Sequence, residues 1–137
     1  LYTLESRIAF AGWTEDHIKN YKGPTPEIVG GLAENVRAKL GSTFTISESG
    51  TAGPTGGTSR NRTPYVSSSV RSCIALLILP VILSGYVALA VSSKAGTVTR
   101  EVETGMGTDR EANMVAFATE ALKLLRDCLT GRAQAEL

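Results

Sequence analysis

An α/β domain is the fold class that this sequence predicts, on three observations. Residues 25–41 carry a capped helix, residues 85–104 carry two strand patterns around a tight turn, and Asp109 opens a second long helix. Helix, strand, loop, strand, strand, helix is the order of elements that packs helices on a sheet.

The elements follow in chain order. Leu1–Trp13 mixes aromatic, apolar and small residues around Gly12 and reads as a strand end running into a helix start. Thr14, followed by Glu15 and Asp16, suits a helix cap with acids in the first turn, where the helix dipole favours them. Gly23 and Pro24 break the chain, and Thr25-Pro26-Glu27 restarts it in the order cap, first helical residue, acid. Ile28, Leu32, Val36 and Leu40 then recur every four residues, Val29 and Ala33 widen the stripe, and Gly41 ends it. Thr43–Ser49 alternates Phe44 and Ile46 with hydroxyl residues, as a short strand does.

Gly50–Pro64 holds four glycines and two prolines and must be a loop. Gly85–Ser92 is a nearly continuous apolar run, the pattern of a strand buried on both faces. Lys94, Ala95 and Gly96 make a hairpin turn, and Thr97–Thr104 alternates as the antiparallel partner. In the last helix, Met114, Phe117, Ala118, Ala121, Leu122, Leu124, Leu125 and Leu129 are expected to face inward.

Tyr65–Ser84 does not fit this order. It begins Ser-rich, then runs through eleven residues from Cys73 to Leu83, all apolar and broken by Pro80. That is short of the ~20 residues that span a bilayer, and the proline spoils it as a core helix.

Composition excludes several classes of function. The chain has 137 residues, 42% of them hydrophobic and 20% charged, which is ordinary for one globular domain. A net charge of +1 supplies no field for nucleic acid or a membrane surface, and Arg60 with Arg62 is the only local basic cluster of note. Two distant cysteines, Cys73 and Cys128, and one histidine, His17, make no metal-ligand set. No signal peptide is visible, which points to the cytoplasm.

The loop Ser49-Gly50-Thr51-Ala52-Gly53-Pro54-Thr55-Gly56-Gly57 is the most informative stretch. Glycines after a strand let backbone N–H groups approach a phosphate or an oxyanion; they also serve as plain flexible connections. No Gly-Lys-Ser/Thr follows, so it is not a nucleoside-triphosphate loop, and no suitable helix follows to make a dinucleotide fingerprint.

Three motifs in order carry a family resemblance. Glu48–Gly57 (ESGTAGPTGG) resembles the TG-x-AGP-GGG loop of the CinA C-terminal domain family. Leu1–Trp13 resembles that family's Tyr-Ser-Asn, lysine, Leu-Gly-Val segment, and Gly107–Arg110 (GTDR) its Gly-Asp-Arg before the last helix. The resemblance covers the chain apart from 65–84 and the tail. It implies a layered α/β/α domain with a mixed sheet, incomplete at its N-terminus, and a homodimer or larger assembly. It further implies a metal-independent and cofactor-independent amidohydrolase converting nicotinamide mononucleotide to its acid and ammonia.

Carried over by position, Tyr2 matches the family tyrosine and Ser49 keeps a hydroxyl where the family has threonine. Gly50, Ala52, Gly53, Gly56 and Gly57 form the substrate loop, and Arg110 matches an arginine suited to phosphate. Tyr2 could equally pack, and Arg110 could pair with Glu111. Arg7 occupies the lysine position; a guanidinium does not deprotonate in proteins and cannot serve as general base. The family's nucleophile lies in a Glu-Ser-Cys-Thr-Gly-Gly motif that belongs upstream of Tyr2. The expectation is therefore a fragment of a nicotinamide-nucleotide amidase-like domain without turnover. The alternative is a non-catalytic nucleotide-binding, interaction or remnant domain; a serine motif upstream of Leu1 would distinguish the two.

The family runs straight from Thr-Pro-Gly to Tyr-Val-Ala-Leu-Ala, and here Thr63-Pro64 and Gly85-Tyr86-Val87 are those ends. Tyr65–Ser84 then reads as a translated intron, since codons for Pro64, Tyr65 and Val66 can spell a splice donor and Ser84 can supply the acceptor. The rival reading is a lineage-specific loop that docks a partner. The proline break and lack of periodicity favour the intron.

Overall fold

The computed structural model describes residues 3–21, 23–54 and 84–133. The apolar segment therefore lies outside the described residues, except for Ser84, as do Tyr2, Gly56 and Gly57.

Leu4–Ala11 is a helix, α1, where the sequence suggested a strand end. Local capping explains the difference. The Thr3 hydroxyl accepts from the Ser6 N–H at 3.2 Å, and Gly12 closes the helix in the left-handed region at φ 69°. The short helix α2, Glu15–Lys19, follows the Thr14 cap, and the His17 ring nitrogen accepts from the Thr14 N–H at 3.0 Å. Helix α3, Pro26–Leu40, starts and stops as expected, with Thr25 accepting from Ile28 N–H and Gly41 left-handed. Its buried stripe is Val29, Gly30, Leu32 and Ala33, while Leu40 is 64% exposed. The expected stripe thus holds at Val29, Leu32 and Ala33, Gly30 joins it, and its last residue, Leu40, turns outward.

Three strands follow: β1, Phe44–Thr51; β2, Tyr86–Ser93; and β3, Gly96–Glu103. They form an antiparallel sheet in the order β1-β2-β3, so no described pair is parallel. The central strand β2 is buried from Tyr86 to Ser92, as its unbroken apolar run requires. The β2–β3 turn is Lys94-Ala95, with Ser93 opposite Gly96. Helix α4, Arg110–Leu129, begins at the Asp109 cap, whose carboxylate accepts from the Ala112 N–H at 3.0 Å.

Strand alternation assigns the two faces of the sheet. Val87, Leu89 and Val91 point toward α4 and pack with Phe117, Ala121 and Leu124. Tyr86, Ala88 and Ala90 point the other way and pack with Val29 and Ala33 of α3. The result is helix, sheet, helix: the layered α/β/α arrangement. On α4 the inward row is Asn113, Phe117, Ala121 and Leu124, with Leu125 half-buried. Met114, Leu122 and Leu129, expected inside, are 53%, 63% and 59% exposed. An i, i+4, i+8 row faces one narrow sheet, and residues one position off it fall outside.

The antiparallel sheet brings the end of β1, the start of β2 and the end of β3 to one side. Gly85 N–H donates to the Thr51 carbonyl at 2.7 Å, and Thr104 N–H to the Gly85 carbonyl at 2.9 Å. The first turn of α4 starts beside them. No helix among the described residues is long and apolar enough to cross a membrane.

Candidate functional site

Strand β1 runs two residues further than its sequence pattern suggested, so Gly50 and Thr51 are strand residues and the loop starts at Ala52. Packing explains the extension. Gly50 stands opposite Val87, and a Cβ on it would lie 2.5 Å from the Tyr86 carbonyl oxygen and 3.0 Å from a Phe117 ring carbon. Gly50 is therefore a glycine because the β2 backbone at Tyr86 comes too close for a Cβ, with the Phe117 ring closing the space from the α4 side. Ser49, opposite Ala88, is half-buried on the α3 face.

Gly53 has a different requirement. Its φ is 77°, and a Cβ would meet the Ser84 hydroxyl at 2.5 Å and the Thr108 Cα at 3.4 Å. The loop here carries a cis peptide bond, Gly53–Pro54. The Gly53 carbonyl accepts from a terminal guanidinium nitrogen of Arg110 at 3.2 Å. Two motifs separated by more than fifty residues thus meet at one hydrogen bond, as expected from their chemistry. The guanidinium is a planar fork of five donors, so one bond to Gly53 leaves donors for an anion. Asp109 alters the expectation for the helix end: its carboxylate takes the Ala112 N–H, so this N-terminus is already capped by a negative group.

Ala52 is buried, and its carbonyl accepts from the Asn113 side-chain amide at 3.0 Å. Asn113 is fully buried. The sequence reading missed it, although a polar residue four positions before Phe117 on an otherwise apolar row was the available signal.

Arg7 lies elsewhere. Its guanidinium carbon sits 4.8 Å from the centre of the Trp13 ring and 5.2 Å from that of Tyr21, and the two rings lie 5.5 Å apart, so the cation rests against an aromatic pair. Its Nε is buried without a hydrogen-bond partner. With Leu32, Val36 and the β1 residues Thr45, Ser47 and Glu48 it lines a cleft of about 270 Å³. Glu48 is otherwise exposed, yet partial desolvation of its carboxyl raises its pKa above the usual carboxylate value. Arg7 thus faces the two residues before Ser49, and Arg110 the loop after it.

A concavity of about 640 Å³ lies along the outer side of α4. Asp109, Glu111 and Glu120 line it against Lys123 alone, a charge balance unsuited to a phosphate. Among the described residues no group of three His, Cys, Asp or Glu could hold a metal ion.

The sequence profile of the CinA C-terminal domain matches residues 1–70. No curated protein sequence matches the chain. Among solved structures, the chain is similar to a CinA superfamily protein from Escherichia coli at 16% identity and a TM-score of 0.66. There the match covers 93% of this chain and 60% of that one. A competence or damage-inducible protein from Enterobacter asburiae is 18% identical, with a TM-score of 0.59 and coverage of 92% and 65%. The protein CihA from Agrobacterium tumefaciens is 17% identical, with a TM-score of 0.61 and coverage of 92% and 64%. The chain thus spans less than two thirds of the length of each.

Proposed function

The chain belongs to the CinA C-terminal domain family, and from that premise we propose that it binds a nicotinamide nucleotide at an amidase-type site without hydrolysing it. The observation that carries this reading is the Arg110–Gly53 hydrogen bond, which joins the GTDR segment to the glycine loop. A phosphate brought there meets guanidinium donors on one side and the loop backbone on the other, a charge-assisted arrangement.

Arg7 supports the absence of turnover. Amide hydrolysis by a serine needs a base to accept the hydroxyl proton. A lysine serves when its pKa is lowered, whereas a guanidinium stays protonated. Here Arg7 is also held against Trp13 and Tyr21, which is the behaviour of a packing residue.

Nicotinamide mononucleotide incubated with the purified chain tests the reading through ammonia release. Binding with no ammonia above the protein-free control is expected. Release that disappears in Ser49→Ala would contradict it and make Ser49 the nucleophile.

A further inference from the structure

Asn113 is the most fully engaged polar side chain of the described core. It sits one turn after Arg110, with no exposed surface. Its amide nitrogen donates to two carbonyls, Ala52 at 3.0 Å and Gly107 at 2.9 Å. Its amide oxygen accepts from the Thr104 hydroxyl. That hydroxyl in turn accepts from the Met106 N–H at 3.3 Å.

The direction of this chain of bonds is fixed by the two carbonyls. Both can only accept, so the Asn113 NH₂ must face them and the amide oxygen must face Thr104. The Thr104 hydroxyl is then the donor to that oxygen, while it accepts from the Met106 N–H. It thereby holds the amide in the orientation that the carbonyls require.

The two carbonyls flank the proposed site. Ala52 precedes Gly53, so holding its carbonyl fixes the plane of the peptide leading into the residue that Arg110 binds. Gly107 opens the GTDR segment that carries Arg110. An apolar residue at position 113 would suit the helix row, but it would take the side-chain donor from the buried Ala52 carbonyl and the part-buried Gly107 carbonyl.

We propose that Asn113, its amide oxygen held by the Thr104 hydroxyl, is the positioning residue that keeps the Gly53 loop and the Arg110 guanidinium in register for an anionic ligand. The proposal rests on the reading of the Gly53–Arg110 junction as the nucleotide site. Neither Asn113 nor Thr104 touches the ligand; both act through the backbone on either side of it.

Calorimetric titration with nicotinamide mononucleotide, and separately with inorganic phosphate, tests this on the full chain. Five proteins are compared: native, Arg110→Ala, Thr104→Val, Thr104→Ser and Asn113→Ala. Stoichiometry reports the folded fraction, and Kd reports the site. Thr104→Val keeps the shape of threonine but removes the donor to the Asn113 oxygen, so Kd should rise about tenfold or more, roughly the loss of one well-placed hydrogen bond. Thr104→Ser restores the hydroxyl and should bind within about twofold of native. Asn113→Ala should weaken binding at least as much as Thr104→Val. Should it fail to fold, the threonine pair still decides. Lower melting temperature with unchanged Kd in Thr104→Val would make the clamp structural only and overturn the proposal. Weakened binding in Arg110→Ala, with native Kd in Thr104→Val and Asn113→Ala, would overturn it while leaving the anion site intact. No binding by the native chain would overturn both.

Discussion

Truncating Phe117 to alanine is the sharpest test of how α4 is held on the sheet. Phe117 is 4% exposed and packs with Val87, Leu89, Ala121 and Leu124. Losing the burial of such a ring costs about 1.5–3 kcal/mol in transfer alone. The cavity left behind raises this, because the wall opposite is β1 backbone at Gly50, with no side chain to swing in. The total should be about 3–5 kcal/mol. For a domain of this size that lowers the melting temperature by about 10–15 °C. Urea unfolding followed by circular dichroism measures it, with Leu122→Ala as the control. Leu122 is 63% exposed, so its truncation should cost less than about 0.5 kcal/mol. A Phe117→Ala loss below about 1 kcal/mol, or equal losses at the two positions, would refute the assigned inward face of α4.

Other perturbations probe separate parts of the structure. Gly50→Ala should destabilise by about 1–3 kcal/mol or more, because the added methyl meets the Tyr86 backbone; native-like urea unfolding would remove the close approach. Asp127 has its carboxyl pKa lowered by hydrogen bonds from Arg126 and Arg100, so its contribution is present above the unfolded carboxylate value and is lost as pH falls through the folded one. Asp127→Asn should therefore flatten the acid limb of the stability curve, measured by melting temperature against pH. Glu48 has the opposite sign: its raised folded pKa favours folding as pH falls, so Glu48→Gln should raise stability at neutral pH rather than lower it. Deleting 65–84, so that Pro64 joins Gly85, should raise soluble yield and melting temperature. Gly85 N–H already donates to the Thr51 carbonyl at 2.7 Å, so the retained ends lie together and a shorter connection can close between them. Unfolding of the deletion variant would instead make the segment an integral element.

Much of the architecture was legible because local chemistry and burial agree. Thr25-Pro26-Glu27 and Gly41 bound α3 where their capping chemistry requires, and the apolar run at Tyr86–Ser92 became the buried central strand. The misreadings arose where tertiary packing decides. Gly50 looked like loop but is strand, since its missing side chain leaves room for the Tyr86 backbone of β2 and the Phe117 ring. Leu122 looked inward, but the sheet under α4 is narrow and accepts only the row through Phe117 and Leu124. The meeting of Gly53 with Arg110 could be expected from motif order. The Asn113 clamp could not, because its partners are backbone carbonyls, which leave no mark in a sequence.

Arg110 is the proposed anchor of the ligand, and titration of nicotinamide mononucleotide against native chain and Arg110→Ala at two salt concentrations measures that directly. Native chain should bind, and higher salt should weaken it through screening of the phosphate contact. Arg110→Ala should lose affinity by about tenfold or more, and most of the salt dependence with it. Equal affinities and equal salt dependence for the two proteins would contradict the account and remove Arg110 from the site.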